Sequence, residues 1–361
     1  MNRLTAIGLA SLVAYGALIA SKYTAVVSAA REEKPPRVES VAVEPSEPLE
    51  PAAPKVAAVE PVAPSVPIPL ARLDTPHASA VALEFRQAHD LKAFADALMG
   101  RKAELTADER YHLAKALEEC QFATSLTEDI GTYAAKQRRQ FIAGLPINDP
   151  SNAKRIAAYE AVDNTQRCAR FQGTKISQKD VEDLIEAAAQ EGDVRAQARM
   201  LVAELSNKNA SSQRSDAQAA PPRVAPDDLS RLIGLLQTRD PEAMIIVGQY
   251  LAQSSVASQL RIGPNGEVPE PSAFLGAFSL VACDLGPDCT SLSHEPQLAC
   301  AYGGYCNSQS FEELYQNFLA SPWAYAQAVR YRSIIHTAIN TQNWSLIGLQ
   351  PPSADKTRVS Q

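Results

Sequence analysis

The chain is poor in cysteine, glycine and aromatic residues. It contains six cysteines and 16 glycines among 361 residues, and aromatic residues make up 6% of it. No run of five or more lysines and arginines occurs, and the formal net charge is −7. A nucleic-acid-binding surface is usually basic, so we expect no nucleic-acid partner. Abundant alanine with few aromatic residues favours closely packed helices, because alanine is the best helix former.

Motifs of common catalytic sites are also missing. The chain has no C-x-x-C, H-E-x-x-H, G-x-S-x-G, P-loop or dinucleotide-binding motif. We therefore expect no catalytic residue, no cofactor and no metal site. His112, near Glu118 and Glu119, is interpreted as a solvated or capping residue, and His336 as a buried histidine with a hydrogen-bond partner. Several carboxylates lie near one another in sequence: Asp284, Asp288, Glu312 and Glu313. Catalysis by a pair of them would need a cleft in which both reach the substrate.

The amino terminus predicts a membrane anchor. Residues 4–20 are uncharged, and Lys22 follows them. This length is at the lower limit for a transmembrane helix, and Arg3 places the amino terminus in the cytoplasm by the positive-inside rule. The prediction is a single-pass inner-membrane anchor within residues 1–30, with the rest of the chain in the periplasm. The alternative is a signal peptide cleaved near Ala29, which would leave a secreted or soluble periplasmic protein.

Proline dominates the next segment. Eleven prolines lie between Pro35 and Pro76, interspersed with Glu, Ala and Val. Because proline lacks a backbone donor and restricts its neighbour, residues 31–77 are predicted to form a disordered, extended linker. Anchor and linker together resemble the architecture of TonB-type envelope proteins. That resemblance covers architecture alone and implies a spacer between the membrane and a folded domain.

Helix signals recur from residue 78 onward. Capping boxes or Asp-Pro and Ser-Pro caps predict helix starts at Thr106, Ser125, Asp149, Ser177, Asp240, Ser310 and Ser321. The predicted fold is all-α: an irregular array of helical hairpins with about ten helices. The expected domains are 78–206 and 226–350, the second rich in cysteine, with a loop or linker at 207–225 and a disordered tail at 351–361.

Two segments predict helical hairpins. Residues 180–206 place Gly192 and Asp193 between two apolar helices, and residues 228–252 place Asp240 and Pro241 in the same position. Both segments are similar to the helical pairs of Sel1-like and TPR-like repeat proteins. The chain has no regular repeat period, so an irregular array is expected instead of a regular solenoid.

Four of the cysteines form two C-x-x-G-x-x-C motifs. These contain Cys283 with Cys289, and Cys300 with Cys306. The spacing is too wide for a typical structural zinc site, and redox catalysis would favour C-x-x-C. The first cysteine of each motif lies at a predicted helix end, and the glycine can adopt the left-handed conformation that reverses the chain. Local bridges are therefore expected, although four cysteines permit crossed pairings as well.

The remaining two cysteines predict a long-range bridge. Cys120 and Cys168 lie at the ends of two predicted helices in the first domain, and a bond between them would close a loop of 48 residues. An even number of cysteines, all beyond the anchor, is typical of proteins in an oxidising compartment. The disulfide residues are therefore predicted to be Cys120, Cys168, Cys283, Cys289, Cys300 and Cys306.

The cysteine-rich region has a resemblance of its own. Residues 270–345, with C-x-x-G-x-D-C at 283–289, are similar to a group of uncharacterised proteobacterial envelope proteins. This resemblance implies the bacterial envelope and no particular chemistry. The same region carries many of the chain's aromatic residues, which are expected in the core or in a recognition surface: Tyr302, Tyr305, Trp323, Tyr325 and Tyr331.

These observations predict a membrane-tethered periplasmic binding or scaffolding protein. Its expected contacts are the inner membrane, through the amino-terminal helix, and a protein partner in the envelope. Two alternatives stay open. One is a cell-envelope hydrolase with acidic residues in a cleft between the two domains, and the other is a secreted assembly factor if the signal is cleaved.

Overall fold

The computed structural model describes residues 79–101, 104–215, 224–286, 289–291 and 293–349, except for the side chains of 211–215. The expected anchor (1–30), linker (31–77) and tail (351–361) lie outside these ranges. Within them, no helix has an apolar stretch long enough to cross a bilayer.

The described ranges contain fourteen α-helices and no strand, so the prediction of an all-α fold is confirmed. The helices are α1 (Ala80–Gln87), α2 (Leu91–Met99), α3 (Ala107–Thr124), α4 (Ile130–Ala143), α5 (Asn152–Val162), α6 (Gln178–Gln190), α7 (Val194–Ser215), α8 (Pro226–Gln237), α9 (Pro241–Leu251), α10 (Ser254–Ala257), α11 (Pro271–Asp284), α12 (His294–Gly303), α13 (Phe311–Leu314) and α14 (Pro322–Thr341). Short 3₁₀ segments occur at Ala169–Phe171 and Trp344–Ile347, and a π-helical turn spans Tyr315–Leu319.

Several helix starts follow the predicted caps. The Thr106 and Ser177 side chains form capping boxes with Glu109 and Asp180, and Asp240 accepts a hydrogen bond from the Ala243 amide. Two predicted starts are wrong. Helix α3 continues to Thr124, so Ser125 is its C-cap, and α4 begins after Asp129. Helix α5 begins after Ser151, because Asp149 instead accepts a hydrogen bond from the Ser151 amide in the preceding turn.

The predicted linker at 207–225 differs from the structure in its first part. Helix α7 continues through these polar residues to Ser215. The polar stretch continues an existing helix, which avoids the unfavourable nucleation step that a new helix would need. The hairpin turn before α7 agrees with the sequence: Gly192 has φ 101° and the Asp193 carboxylate accepts the amides of Arg195 and Ala196.

The buried residues form two main hydrophobic clusters. One extends from Phe85 to Ala196 and joins α2, α3 and α6, and the other extends from Ala198 to Leu349 and centres on α9, α11 and α14. Helices approach closely where small residues face large ones. A Cβ atom at Gly248 would lie 2.5 Å from Phe278, so α9 and α11 pack together at a distance that excludes any larger residue. A third, smaller cluster lies between α5 and α12.

Candidate functional site

The six cysteines form three disulfides. The pairs are Cys120–Cys168, Cys283–Cys289 and Cys300–Cys306, with Cα–Cα distances of 5.1, 5.8 and 4.3 Å. Every one of the six predicted cysteines is therefore paired, and both C-x-x-G-x-x-C motifs form local bridges. Cys283 and Cys300 each lie in the last turn of a helix, where the negative end of the helix dipole disfavours a thiolate. This position suits a structural bridge more than a reactive one.

The two motifs reverse the chain at different glycines. In the first, Gly286 has φ 112°, as the sequence suggests. In the second, Gly303 is still helical and the left-handed residue is Gly304, with φ 77°. Gly303 is needed for a different reason, since a Cβ atom there would lie 2.8 Å from the Tyr305 ring. This glycine lets an aromatic side chain lie against the end of α12.

An arginine from α5 holds the end of α12. Arg155 Nε donates to the Ala301 carbonyl at 3.0 Å, and its Nη2 donates to the Tyr302 carbonyl at 3.1 Å. Both carbonyls belong to the last turn of α12, where intrahelical partners are lacking. Lys154 Nζ donates to Asn307 Oδ1 at 3.0 Å. The Cys300–Cys306 bridge and the α5 side chains thus fix the same short segment.

The end of α12 and the residues that follow it carry exposed aromatic side chains. Tyr302 is 50% exposed, Phe318 is 42% exposed and Trp323 is 60% exposed. Tyr305 stacks on Phe318, with 4.6 Å between ring centroids and 19° between ring planes. Residues 302–323 therefore present four large aromatic side chains, three of them substantially open to solvent. We call Tyr302, Tyr305, Phe318 and Trp323 the aromatic surface.

Each member of the aromatic surface is positioned by its own element. Tyr302 lies in the last turn of α12 and contacts the Phe141 ring, with 5.6 Å between centroids. Phe318 belongs to the π-helical turn that follows α13. Trp323 is in the first turn of α14, whose start is set by the Ser321 hydroxyl and by Pro322. Among the described residues, the other large hydrophobic side chains with high exposure are not aromatic: Leu83, Met99, Ile147, Met200, Val268 and Val329.

The acidic side chains within residues 302–323 are engaged internally. Glu312 accepts hydrogen bonds from Arg332, at 2.9 Å, and from the Tyr325 hydroxyl, at 3.2 Å. Glu313 accepts from the Gln309 amide at 2.5 Å. Burial, and after it the nearby Asp163 carboxylate, raise the pKa of Tyr302.

The remaining predicted aromatic and histidine residues are structural. Tyr331 is 2% exposed, and its hydroxyl accepts a hydrogen bond from the Glu270 amide. His336 is buried, as expected, with Nε2 2.6 Å from Asp284 Oδ2. Burial alone would raise the pKa of Asp284, but hydrogen bonds from Arg332 and His336 outweigh it and lower that pKa. Asp284 therefore stays ionised and links α11 to α14.

His112 differs from the prediction. Its side chain is 4% exposed, and its Nδ1 lies 2.9 Å from the Asp108 carbonyl and 3.1 Å from Asp108 Oδ1. Burial would raise the pKa of Asp108, but hydrogen bonds from His112, Ser79 and Arg195 hold it well below its usual range. The helix packs this face against Phe85, which the sequence spacing alone did not indicate. His112 is thus a buried, partnered histidine.

A carboxylate of α9, that of Glu242, contacts side chains of α3. Glu242 Oε1 accepts from the Tyr111 hydroxyl at 2.6 Å and from Lys115 Nζ at 3.0 Å. Burial would raise the pKa of Glu242, but Lys115, Tyr111 and Arg195 together lower it to about 2. Nearby, burial raises the pKa of Glu119 despite the proximity of Arg167. The charged side chains at this junction form ion pairs and hydrogen bonds that hold the two helices together.

A shallow cleft lies between α1 and α2. Its volume is about 350 Å³, and its lining includes Glu84, His89, Asp90 and Phe94. The Asp90 carboxylate caps α2 and pairs with Arg170 at 2.7 Å. In the part of the chain that the structure describes, no three His, Cys, Asp or Glu side chains are grouped so as to hold a metal ion.

Two residues of the site were not singled out from the sequence. Arg155 lies 146 residues from Ala301, and no local pattern indicates this long-range contact. Phe318 follows Ser310 and Glu313, whose capping signal predicts a regular helix there, whereas the helix changes to a π-helical turn and exposes the ring.

Comparison with protein-family models, curated proteins and solved structures gives no match to this chain. What the protein does must therefore be inferred from its own residues.

Proposed function

We propose that the chain is a membrane-tethered periplasmic binding or scaffolding protein. It would be anchored once in the inner membrane, with the helical body in the periplasm and a protein of the envelope as its partner. The pairing of all six cysteines carries this proposal. Disulfides persist in oxidising compartments and are rare in the cytosol. The charge-free segment at residues 4–20 and the prolines that follow supply the tether.

The exposed aromatic side chains support a binding role. Tyr and Trp are enriched at the energetic centres of protein interfaces, and the large exposed fractions of Tyr302 and Trp323 leave them accessible. The disulfide and Arg155 fix the backbone at Tyr302, which lowers the entropy lost on binding there. A rigid helical body with an accessible aromatic surface is suited to binding a partner without chemical change.

The alternative of a cell-envelope hydrolase draws no support from the junction of α3 and α9. Glu242 and Asp108 lie there with lowered pKa values, and each is hydrogen-bonded to a cationic neighbour. Burial raises the pKa of Glu119 and Asp240, but Glu119 pairs with Arg167 and Asp240 caps α9. A general acid needs a raised pKa and access to substrate. The alternative of a secreted assembly factor shares the helical body with the main proposal and differs in signal cleavage near Ala29.

Fusions at the carboxyl terminus test the location. Alkaline phosphatase fused after Gln361 should be active, and a cytosol-restricted fluorescent reporter at the same position should be dark. The opposite pattern would overturn the proposal. Membrane fractionation of the untagged chain, with its mass determined, separates the tether from the cleaved alternative. The intact mass in the membrane fraction supports an anchor, and a mass shortened near Ala29 supports secretion.

A further inference from the structure

We propose that residues 141–147, here called the apolar turn, insert into the surface of a bilayer that contains anionic phospholipid. The inference rests on the tether in the proposed function and goes beyond it, because it gives the helical body a second contact with the membrane. Three properties carry the inference: an apolar run without a buried residue, basic residues beside it, and a convex shape that the fold supports.

The apolar turn is uncharged, and none of its residues is buried. Its sequence is FIAGLPI, and it runs from the last turn of α4 into the loop before α5. Phe141, Ile142 and Leu145 are partly exposed, and Ile147 is 91% exposed. Among the described residues, the other exposed large hydrophobic side chains are 39% to 60% exposed. A run of apolar residues that the fold leaves uncovered indicates a contact outside the folded body.

Basic residues lie on both sides of the apolar turn in the sequence. Residues 130–155 contain five basic residues and one acidic residue, Asp149, although the whole chain has a net charge of −7. Lys136, Arg138 and Arg139 are exposed and precede the turn by less than two turns of helix. Anionic phospholipid attracts basic residues that lie close to the headgroups. An apolar run beside basic residues is therefore complementary to such a bilayer.

The carboxylates nearest to these basic residues are held in exposed ion pairs. Glu160 accepts from Arg138 at 2.8 Å, and Glu128 pairs with Lys136 at 3.5 Å. Exposed ion pairs contribute little free energy, so both cations can exchange their partner for a lipid phosphate. Asp163 is the C-cap of α5, at the opposite end of that helix from the apolar turn.

The shape of the apolar turn favours a bilayer over a folded partner. Ile147 lies between Pro146 and Asn148, and both of these neighbours are exposed as well. A standard interface between folded proteins buries about 800 Å² on each partner. A convex turn offers no such area around its exposed side chain, whereas lipid headgroups close around an inserted one.

Contacts within the chain fix the conformation of the apolar turn. Phe141 stacks on Tyr159, with 4.3 Å between ring centroids and 15° between ring planes. Asn152 Nδ2 donates to the Pro146 carbonyl at 2.8 Å. These contacts hold the turn before it meets a membrane, so little conformational entropy is lost on insertion.

The tether makes a weak membrane contact sufficient. At about 3.1 Å per residue, the predicted linker at 31–77 would reach on the order of 100 Å, so the apolar turn can meet the bilayer that holds the anchor. Tethering makes this contact intramolecular and gives it a high effective concentration. One inserted turn with a few basic residues is then enough to hold the body at the membrane.

Photo-cross-linking of the full chain in native membranes tests the inference. Ile147 is replaced by p-benzoylphenylalanine, and a matched control places the same residue at Val268, which is 50% exposed in the loop before α11. We expect a phospholipid adduct from position 147, identified by its mass after proteolysis. Position 268 should give at least about tenfold less, because only an inserted side chain stays among the lipids. Circular dichroism checks that both chains keep the wild-type helix content.

Charge variants link the lipid adduct to the basic residues. Lys136→Gln with Arg138→Gln should lower its yield at least about fivefold, because each basic residue near an anionic surface strengthens binding by about that factor. Arg170→Gln with Lys179→Gln removes the same charge from exposed positions elsewhere on the body and should leave the yield unchanged. Salt at about 0.5 M should also lower the yield. Equal yields from the two double variants would overturn the inference.

The identity of the adduct separates the remaining outcomes. A membrane-bound chain that gives a protein adduct from position 147, equal lipid adducts from both positions or no adduct from position 147 would overturn the inference and leave the tether standing. A soluble chain shortened near Ala29 would instead contradict the tether. That soluble chain should then sediment with vesicles of phosphatidylglycerol and phosphatidylethanolamine more than with vesicles of phosphatidylcholine, and equal or absent sedimentation would overturn the inference as well.

Discussion

The Cys120–Cys168 bridge is predicted to contribute more stability than either local bridge. The perturbation is Cys120→Ala with Cys168→Ala, compared with the corresponding double variants of the other two pairs. Loop closure in the unfolded chain sets the magnitude. The bridge closes 48 residues and should contribute about 4 kcal/mol, whereas each local bridge closes six residues and should contribute about 2 kcal/mol.

The surroundings of the long bridge increase its effect. Both Cys120 and Cys168 are fully buried in the cluster that joins α2, α3 and α6. Their replacement by alanine also removes sulfur contacts in a packed core, which adds to the loss expected from loop closure. Cys306 and Cys289 are only partly buried, and their pairs add little packing beyond loop closure.

Urea unfolding of the full chain, followed by circular dichroism without reductant, is the assay. The slope of unfolding free energy against urea should rise most for the Cys120–Cys168 variant, because its unfolded state expands most. A local-bridge variant that lost as much stability as the Cys120–Cys168 variant would refute the reasoning. So would a loss below about 1 kcal/mol for the long bridge, which is far below the loop-closure value.

Three further predictions address single contacts. Arg155→Met should destabilise the chain by about 1–3 kcal/mol, because two helix-end carbonyls lose their donor. Hydrogen exchange should increase in residues 294–307, and Arg139→Met, an exposed control, should leave it unchanged. The lowered pKa of Glu242, about 2 compared with 4.5 when unfolded, stabilises the fold above about pH 4.5 and is lost as pH falls towards 2. Because the side chain is 39% exposed, the expected contribution is only about 1–2 kcal/mol. Glu242→Gln should flatten this part of the stability–pH profile, measured by urea titration. An unchanged profile would contradict the ion-pair assignment. Gly248→Ala should destabilise the chain by about 1–3 kcal/mol, because the added methyl group overpacks against α11. The control Gly234→Ala has open space around it and should stabilise the chain by about 0.5–1 kcal/mol. Thermal unfolding measures both variants, and equal effects would refute the close-packing argument.

Local signals in the sequence indicated several helix starts and favoured the observed cysteine pairs, with crossed pairings among the last four cysteines left open. The Thr106 and Ser177 capping boxes and the Asp240-Pro241 cap mark real helix starts, because these signals act through contacts within one turn. The local disulfides follow from chain reversal at a helix end, which is also a short-range property.

Features that depend on tertiary contacts could not be predicted from local signals in the sequence. His112 is buried because Phe85 packs on its face of α3. The polar end of α7 is helical because it extends a helix that already exists. Arg155 reaches the end of α12 from a distant part of the chain. The aromatic surface combines both kinds of information, since Tyr302, Tyr305 and Trp323 were singled out from the sequence, whereas Phe318 and the exposure of the rings depend on the packing.

The thiol state of the intact protein tests most directly whether the helical body lies outside the reducing cytosol. Cells are quenched in acid, the full chain is denatured with an alkylating reagent and no reductant, and its mass is measured. We expect none of the six cysteines to be alkylated, because all are paired in the structure. Alkylation of all six would contradict both the periplasmic location and the disulfide-supported aromatic surface.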